Sequence, residues 1–167
     1  STPDSPAENE ATPAPAVRTV DADKDTLIVG GFGEVTSFDP LTEGTNTMNI
    51  IGLCVYDKLY NMNQDGSLEM ELAESVEYVD GMTLEIKLKS GIKFHNGDEL
   101  TAEDVLFTIQ RMSTNFMYSS RVDAADFDKA TAEGLTVTIP MKYYDARFVP
   151  NLTGELGFIM DKSYSDT

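Results

Sequence analysis

Tyr78-Val-Asp-Gly-Met-Thr-Leu-Glu-Ile-Lys-Leu-Lys-Ser-Gly-Ile-Lys-Phe-His-Asn-Gly-Asp-Glu-Leu-Thr-Ala-Glu-Asp-Val-Leu-Phe107 decides the fold of this chain. Asp80-Gly81 stands between two β-like runs, the signal of a tight hairpin. Val76 to Val79 forms the first arm. In the second, Met82, Leu84, Ile86 and Leu88 alternate with Thr83, Glu85 and Lys87. A period of two puts one face on a core and the other in water. Ser90-Gly91 and Asn96-Gly97 mark two further turns. Thr101-Ala-Glu-Asp104 then reads as a capping box, the hydroxyl accepting a helix N–H and the carboxylate reaching back. The helix it opens, Thr101 to Met112, places Val105, Leu106, Ile109 and Met112 on one face.

Outward from this stretch, Asp25 to Gly31 reads as a short buried strand, and Asp39-Pro40 as a turn, because proline drives the preceding residue away from helix. Thr47 to Tyr60 reads as a helix with Ile50, Leu53, Cys54 and Leu59 spaced for one face. Asn61 to Gly66 is a turn, Ser113 to Ser120 a polar and aromatic loop, and Val122 to Lys129 a helical turn. Gly134 to Pro140 alternates Leu135, Val137 and Ile139 as a strand does. Asp145 to Leu152 is a short helix or turn, and Gly157 to Met160 a last apolar run. The sum is an α+β chain with a mixed or antiparallel sheet and few helices.

Composition narrows the function. The 167 residues hold 12 basic and 29 acidic side chains, a net charge of −17. Nucleic acid needs clustered Lys or Arg and finds none here; an anionic membrane surface would repel the chain. The acidity reads first as solubility, with cation binding as the alternative. No run of about 18 apolar residues exists to span a membrane. Ser1 to Asp23 carries Pro3, Pro6, Pro13 and Pro15 among small and acidic residues, a composition too poor in apolar surface to order itself.

The same residues speak against catalysis. The single cysteine, Cys54, forbids an intrachain disulfide and, in an apolar run, reads as a buried structural thiol. The single histidine, His95, sits in a turn with no second His or Cys near it, a poor metal site. Asp98-Glu99 and Glu103-Asp104 lie at a helix start and complement its dipole. EF-hand spacing is missing, and Gly30-Gly31-x-Gly33 lacks the full dinucleotide pattern. No enzyme, cofactor or metal site is expected.

The order of hairpin, Gly91-Ile-Lys-Phe94-His-Asn-Gly97 and Leu100-Thr-Ala-Glu-Asp-Val105 resembles the signature of family 5 extracellular solute-binding proteins, the peptide- and nickel-binding receptors of ABC importers. The resemblance extends from about Thr26 to about Asp161. Ser37-Phe38-Asp39-Pro40 matches the family's Ser-x-Asp-Pro element, Tyr56-Asp57-Lys58-Leu59 its helix end, and Ala73-Glu74-Ser75 its Ala-Glu-Ser segment.

The resemblance implies a periplasmic-binding-protein-like class II fold, present in part. Residues 1–24 would be a lipoprotein-type tether, the lipidated Cys having preceded Ser1; residues 25–50 the opening segment of the first lobe; 51–160 a small inserted α+β domain; and 161–167 the start of the return to that lobe. The second lobe has no counterpart here, so the strand Thr26 to Val29 is expected to be exposed, disordered or paired with another copy. By the same resemblance Glu43 and Thr45, in a Glu-Gly-x loop, and Tyr118 are ligand-contact candidates. Each has a plainer reading: Glu43 as a solvated loop acid, and Tyr118 as a loop aromatic packed on its own domain; alternatively Phe116, Met117 and Tyr118 together form an apolar wall. The implied function is extracellular or periplasmic capture of a peptide or other small solute for a membrane permease. A nickel or metal-chelate receptor, or a sensor or adhesion module, are the alternatives.

Overall fold

Period-two alternation produces the expected sheet, and its two inner strands are the ones that alternate buried with more exposed residues. The computed structural model describes residues 34–42, 46–154 and 157–166, all within one unit, Gly31–Thr167. The expected tether, the strand Asp25 to Gly31, the Gly30–Gly33 loop, Glu43 and Thr45 lie outside the described residues. Strands β3 (Ala73–Tyr78), β4 (Thr83–Leu88), β5 (Thr131–Glu133) and β6 (Thr136–Pro140) form a four-stranded antiparallel sheet in the order β3-β4-β6-β5. Preceding it, β1 (Tyr60–Met62) and β2 (Leu68–Met70) pair as a hairpin.

In β4, Leu84, Ile86 and Leu88 are buried, and the first two pair across to Ile139 and Val137 of β6, which are equally buried. The β3–β4 turn spans Val79 to Met82, because the Val79 N–H donates to the Thr83 carbonyl at 3.0 Å. Asp80 holds it, accepting from the Met82 N–H at 2.9 Å and the Thr83 hydroxyl at 3.0 Å. Gly81 supplies a φ of +78°, which a β-carbon would oppose. Met82 thus leaves the strand and is exposed.

Helix α2 (Ala102–Thr114) lies over β5 and β6. Its capping box forms as expected: Asp104 accepts the Thr101 N–H at 2.9 Å and hydroxyl at 2.6 Å, while Thr101 Oγ1 accepts the Asp104 N–H at 3.4 Å. Ala102, Val105, Ile109 and Met112 are buried; Leu106 is half-buried against the core. Asp104 also accepts the Lys162 N–H at 3.0 Å, tying the helix start to a 3₁₀ turn at Lys162–Asp166.

Four expectations need correction. The helix expected over Thr47 to Tyr60 is α1 (Asn46–Val55) and stops early. Leu59 and Tyr60 are buried, and the Tyr60 hydroxyl donates to the Val149 carbonyl at 2.9 Å. That burial draws the chain out of helix and into β1, tertiary packing overriding propensity. Second, Cys54 is exposed rather than buried. Gly52 faces the Phe158 ring so closely that an added β-carbon would stand 2.6 Å from it; the side carrying Ile50, Leu53 and Cys54 therefore points outward. Third, Val122 to Lys129 is not helical. Val122, Ala124 and Ala125 are buried, Ala125 bridges to Met141, and the Asp126 N–H donates to the Pro140 carbonyl at 2.8 Å. Finally, Leu135 is a turn residue, paired with Gly134 (φ +59°) between β5 and β6. A four-residue helix, α3 (Phe148–Asn151), falls inside Asp145 to Leu152 as expected.

Candidate functional site

The segment 37–42 is irregular, and its own polar side chains shape it. Asp39 accepts the Leu41 N–H at 3.0 Å, an Asx turn of the kind short acids form before proline and turn residues. Ser37 Oγ accepts the Asp39 N–H at 3.0 Å and the Thr42 hydroxyl at 3.1 Å. Pro40 is buried.

Two helices hold this segment in place. Arg111, in the last turn of α2, forms a two-pronged ion pair with Asp39: Nη1 donates to Oδ1 at 3.3 Å, and Nη2 to Oδ2. Both side chains are 23% exposed, so the pair is screened only in part. The guanidinium also lies 5.6 Å from the Phe107 ring centre. Four residues on, Asn115 Nδ2 donates to the Leu41 carbonyl at 2.9 Å, while its Oδ1 accepts the Met117 N–H at 2.9 Å. From the end of α1, the Tyr56 hydroxyl donates to the Phe38 carbonyl at 2.7 Å, and its ring stacks on Phe158 at 5.5 Å. Burial raises the Tyr56 pKa, Asp39 raises it further and Arg111 opposes, so the hydroxyl stays a donor at neutral pH.

Beside the ion pair opens a cleft of about 500 Å³. Ile92, Phe94, Leu100 and Ile159 give it apolar walls, with Asp39 and Arg111 among its polar groups. His95 stands exposed at its edge. Asn96 Nδ2 donates to Asp98 and to Asp161, each at 2.8 Å. The Ser163 hydroxyl and N–H, with Asn96, hold the Asp161 carboxyl below the ordinary aspartate range. Among the described residues no cluster of three or more His, Cys, Asp or Glu stands ready for a metal ion. Shape and lining suit a small organic solute or an apolar side chain.

Of the residues expected to contact ligand, only Tyr118 is described. It is 4% exposed, with the Arg121 guanidinium 5.7 Å over its ring. Its neighbours Phe116 and Met117 are 98% and 68% exposed. The loop therefore offers Phe116 and Met117 to solvent and keeps Tyr118 in the core. Sequence reasoning missed Arg111 and Asn115. Arg111 is the only basic residue of α2, a signal that the helix dipole alone suffices to explain on sequence grounds, while its partner is 72 residues away.

Comparison with known proteins gives a consistent result. Residues 67–166 match the family described as bacterial extracellular solute-binding proteins, family 5, middle. The oligopeptide-binding protein AppA of Bacillus subtilis is 32% identical over 136 residues, which are 75% of this chain and 24% of AppA. A dipeptide-binding protein of Pseudomonas aeruginosa is 30% identical over 162 residues, 83% of this chain and 30% of that protein. The structure of AppA in complex with a nonapeptide superposes with a TM-score of 0.68 at 28% identity, covering 82% of this chain and 28% of AppA. NikA from Staphylococcus aureus, in complex with Ni(L-His)2, superposes with a TM-score of 0.57 at 28% identity, covering 65% of this chain and 23% of that one. The chain spans about a quarter of the length of the curated relatives it matches first.

Proposed function

The chain belongs to the family 5 extracellular solute-binding proteins, and from that premise we propose that it forms part of a receptor that captures a peptide-like solute between two lobes and delivers it to an ABC permease. One observation carries this reading. A relative matched along most of the chain in sequence and a structure matched along most of it in fold are the same protein, an oligopeptide-binding one.

In this reading residues 25–50 open the first lobe and 51–160 form a small domain inserted in it. Glu43 and Thr45 contact the solute, the Glu43 carboxylate holding a peptide α-ammonium by a charge-assisted hydrogen bond. Backbone bonds along an extended peptide make affinity tolerant of side-chain identity. Lobe closure presents the loaded form to the permease, and no chemistry occurs on the solute. Residues 1–24, rich in proline and acids, act as the tether of a lipid-anchored protein on the outer face of the membrane.

Isothermal titration calorimetry tests the proposal on a full-length polypeptide carrying this sequence, run beside residues 1–167. The titrants are a mixed short-peptide library and then Ni²⁺ chelates. Peptide heat from the full-length protein alone is expected. Heat from residues 1–167 alone would overturn the two-lobe assignment. Silence toward peptides with a signal from chelates would favour the reading that the likeness to NikA offers.

A further inference from the structure

We infer that the cleft beside the Asp39–Arg111 pair binds a small organic ammonium ion carrying an apolar body, at a site separate from the solute contacts proposed above. Every residue that lines the cleft lies among the described residues. The inference therefore stands on this geometry, whether or not the solute is a peptide.

Four aromatic rings join the aliphatic walls: Phe38, Tyr56, Phe94 and Tyr164. Phe38 and Tyr164 stand at the rim, 59% and 66% exposed. Tyr56 is fixed, its ring stacked on Phe158 and its hydroxyl bonded to the Phe38 carbonyl. Ring faces carry the negative part of a quadrupole and attract a cation clothed in methyl or methylene groups. The charged residues of the lining are Asp39, Asp57 and Asp161 against Lys93 and Arg111. Asp39 and Arg111 cancel each other, and the exposed Lys93 keeps its ammonium in water. Asp161 is different. It accepts the Ser163 N–H at 2.8 Å, the Ser163 hydroxyl at 2.7 Å and Asn96 Nδ2 at 2.8 Å. All three donors are neutral, so they fix the carboxylate and leave its charge uncancelled. The same bonds keep it ionised at neutral pH. Asp57 is exposed, and its carbonyl accepts the Ile159 N–H at 3.1 Å, which places it beside the Ile159 wall.

This lining discriminates among ligand classes. A metal ion needs several oxygen, nitrogen or sulfur ligands at one point, and the described residues offer no cluster of three or more. An organic anion meets Asp57 and Asp161 in a chain of net charge −17. A neutral apolar molecule fills the walls and gains nothing from the carboxylates. An organic ammonium ion uses walls, ring faces and carboxylates together. The cleft, at about 500 Å³, has the size of a small-molecule site and leaves room for an apolar body behind the charged head.

The test is methyl NMR on a full-length polypeptide carrying this sequence, titrated with benzyltrimethylammonium, benzyl alcohol and phenylacetate, which share one apolar body. The δ1 methyls of Ile92 and Ile159 report on the cleft; those of Ile86 and Ile139, buried in the sheet, are the controls. The cation is expected to shift Ile92 and Ile159 and not the controls, with a Kd about tenfold below that of benzyl alcohol. Phenylacetate should shift neither. Asp161→Asn should weaken the cation about fivefold and leave the alcohol unchanged. Phe38→Leu, at the exposed rim where the fold is not at stake, should weaken the cation about threefold with the same selectivity. Equal affinity for cation and alcohol would overturn the inference, since the cleft would then act as apolar surface alone. Unmoved Ile92 and Ile159 methyls at millimolar cation would overturn it too. So would displacement of the bound cation by the mixed short-peptide library, which would assign the cleft to the captured solute. A protein that binds no peptide leaves these readouts untouched, so the two proposals fail separately.

Discussion

Replacing Asp104 by Ala should destabilise the chain by about 2–3 kcal/mol, more than replacing its capping partner Thr101. The usual view of a capping box gives the larger share to the Ser or Thr. Here the distances reverse it. Thr101 Oγ1 receives the Asp104 N–H at 3.4 Å, at the long limit of a useful bond. Asp104 accepts three donors at 2.6 to 3.0 Å: the Thr101 N–H and hydroxyl, and the Lys162 N–H. Asp104 is 7% exposed, so water replaces the carboxylate poorly. Bonds to a charged acceptor contribute about 1.5–3 kcal/mol each, net of exchange with water, and three that share one carboxylate are not additive. Thr101 and Lys162 are exposed, and their freed donors regain water, which reduces the sum to the stated range. Thr101→Ala should cost about 1 kcal/mol or less. Urea unfolding followed by circular dichroism, with an unchanged m-value, measures both; the Asp104 variant should also melt about 5–10 °C lower. Amide exchange at Lys162 should accelerate in Asp104→Ala and not in Thr101→Ala. Equal costs for the two substitutions, or a larger cost at Thr101, would refute the reasoning.

Three further outcomes are expected. Cys54 should react fully with a maleimide in the native chain without denaturant, since its thiol is exposed; slow labelling that urea accelerates would show the outward face of α1 to be misassigned. Gly157→Ala should cost about 2 kcal/mol or more in urea unfolding, because its β-carbon would meet the Leu152 carbonyl oxygen at 2.0 Å, whereas Gly154→Ala, in open space, should cost far less. The Arg147 side chain and N–H hold the Asp145 carboxyl below the ordinary 3.8. A lowered folded pKa contributes stability above the unfolded value and loses it as pH falls through the folded one. NMR titration should therefore find Asp145 titrating below ordinary aspartates, and Arg147→Met should move it back up; no movement would disprove the pairing.

Much of the fold is legible in the sequence because its strongest devices are local. The Asp80-Gly81 turn, the alternation of Leu84, Ile86 and Leu88, and the Thr101–Asp104 box each act within a few residues, where spacing is the cause. The end of α1 is not legible, since Tyr60 leaves the helical path for a hydrogen bond to Val149 far along the chain. Cys54 misleads for a related reason: apolar spacing identifies a face and not which side of the helix meets the core. Of the candidate site, Asp39 is visible as a turn former. Its pairing with Arg111 depends on a tertiary approach that neither residue announces. Tyr118 and Phe116 share one aromatic loop, and only the fold separates the ring held inside from the ring left outside.

The order β3-β4-β6-β5 also sets an order of assembly. β3 and β4 meet across a four-residue turn as soon as both exist, whereas the partner on β4's other edge arrives about fifty residues later, with α2 formed in between. During that interval the most apolar strand of the sheet has one unsatisfied edge, and Glu85 and Lys87 on its polar face are what discourage pairing with a stranger. Closure entropy grows only logarithmically with the intervening length, about 0.6 kcal/mol per doubling. Lengthening the connection between α2 and β5 would therefore slow completion of the sheet far more than it would weaken the finished domain.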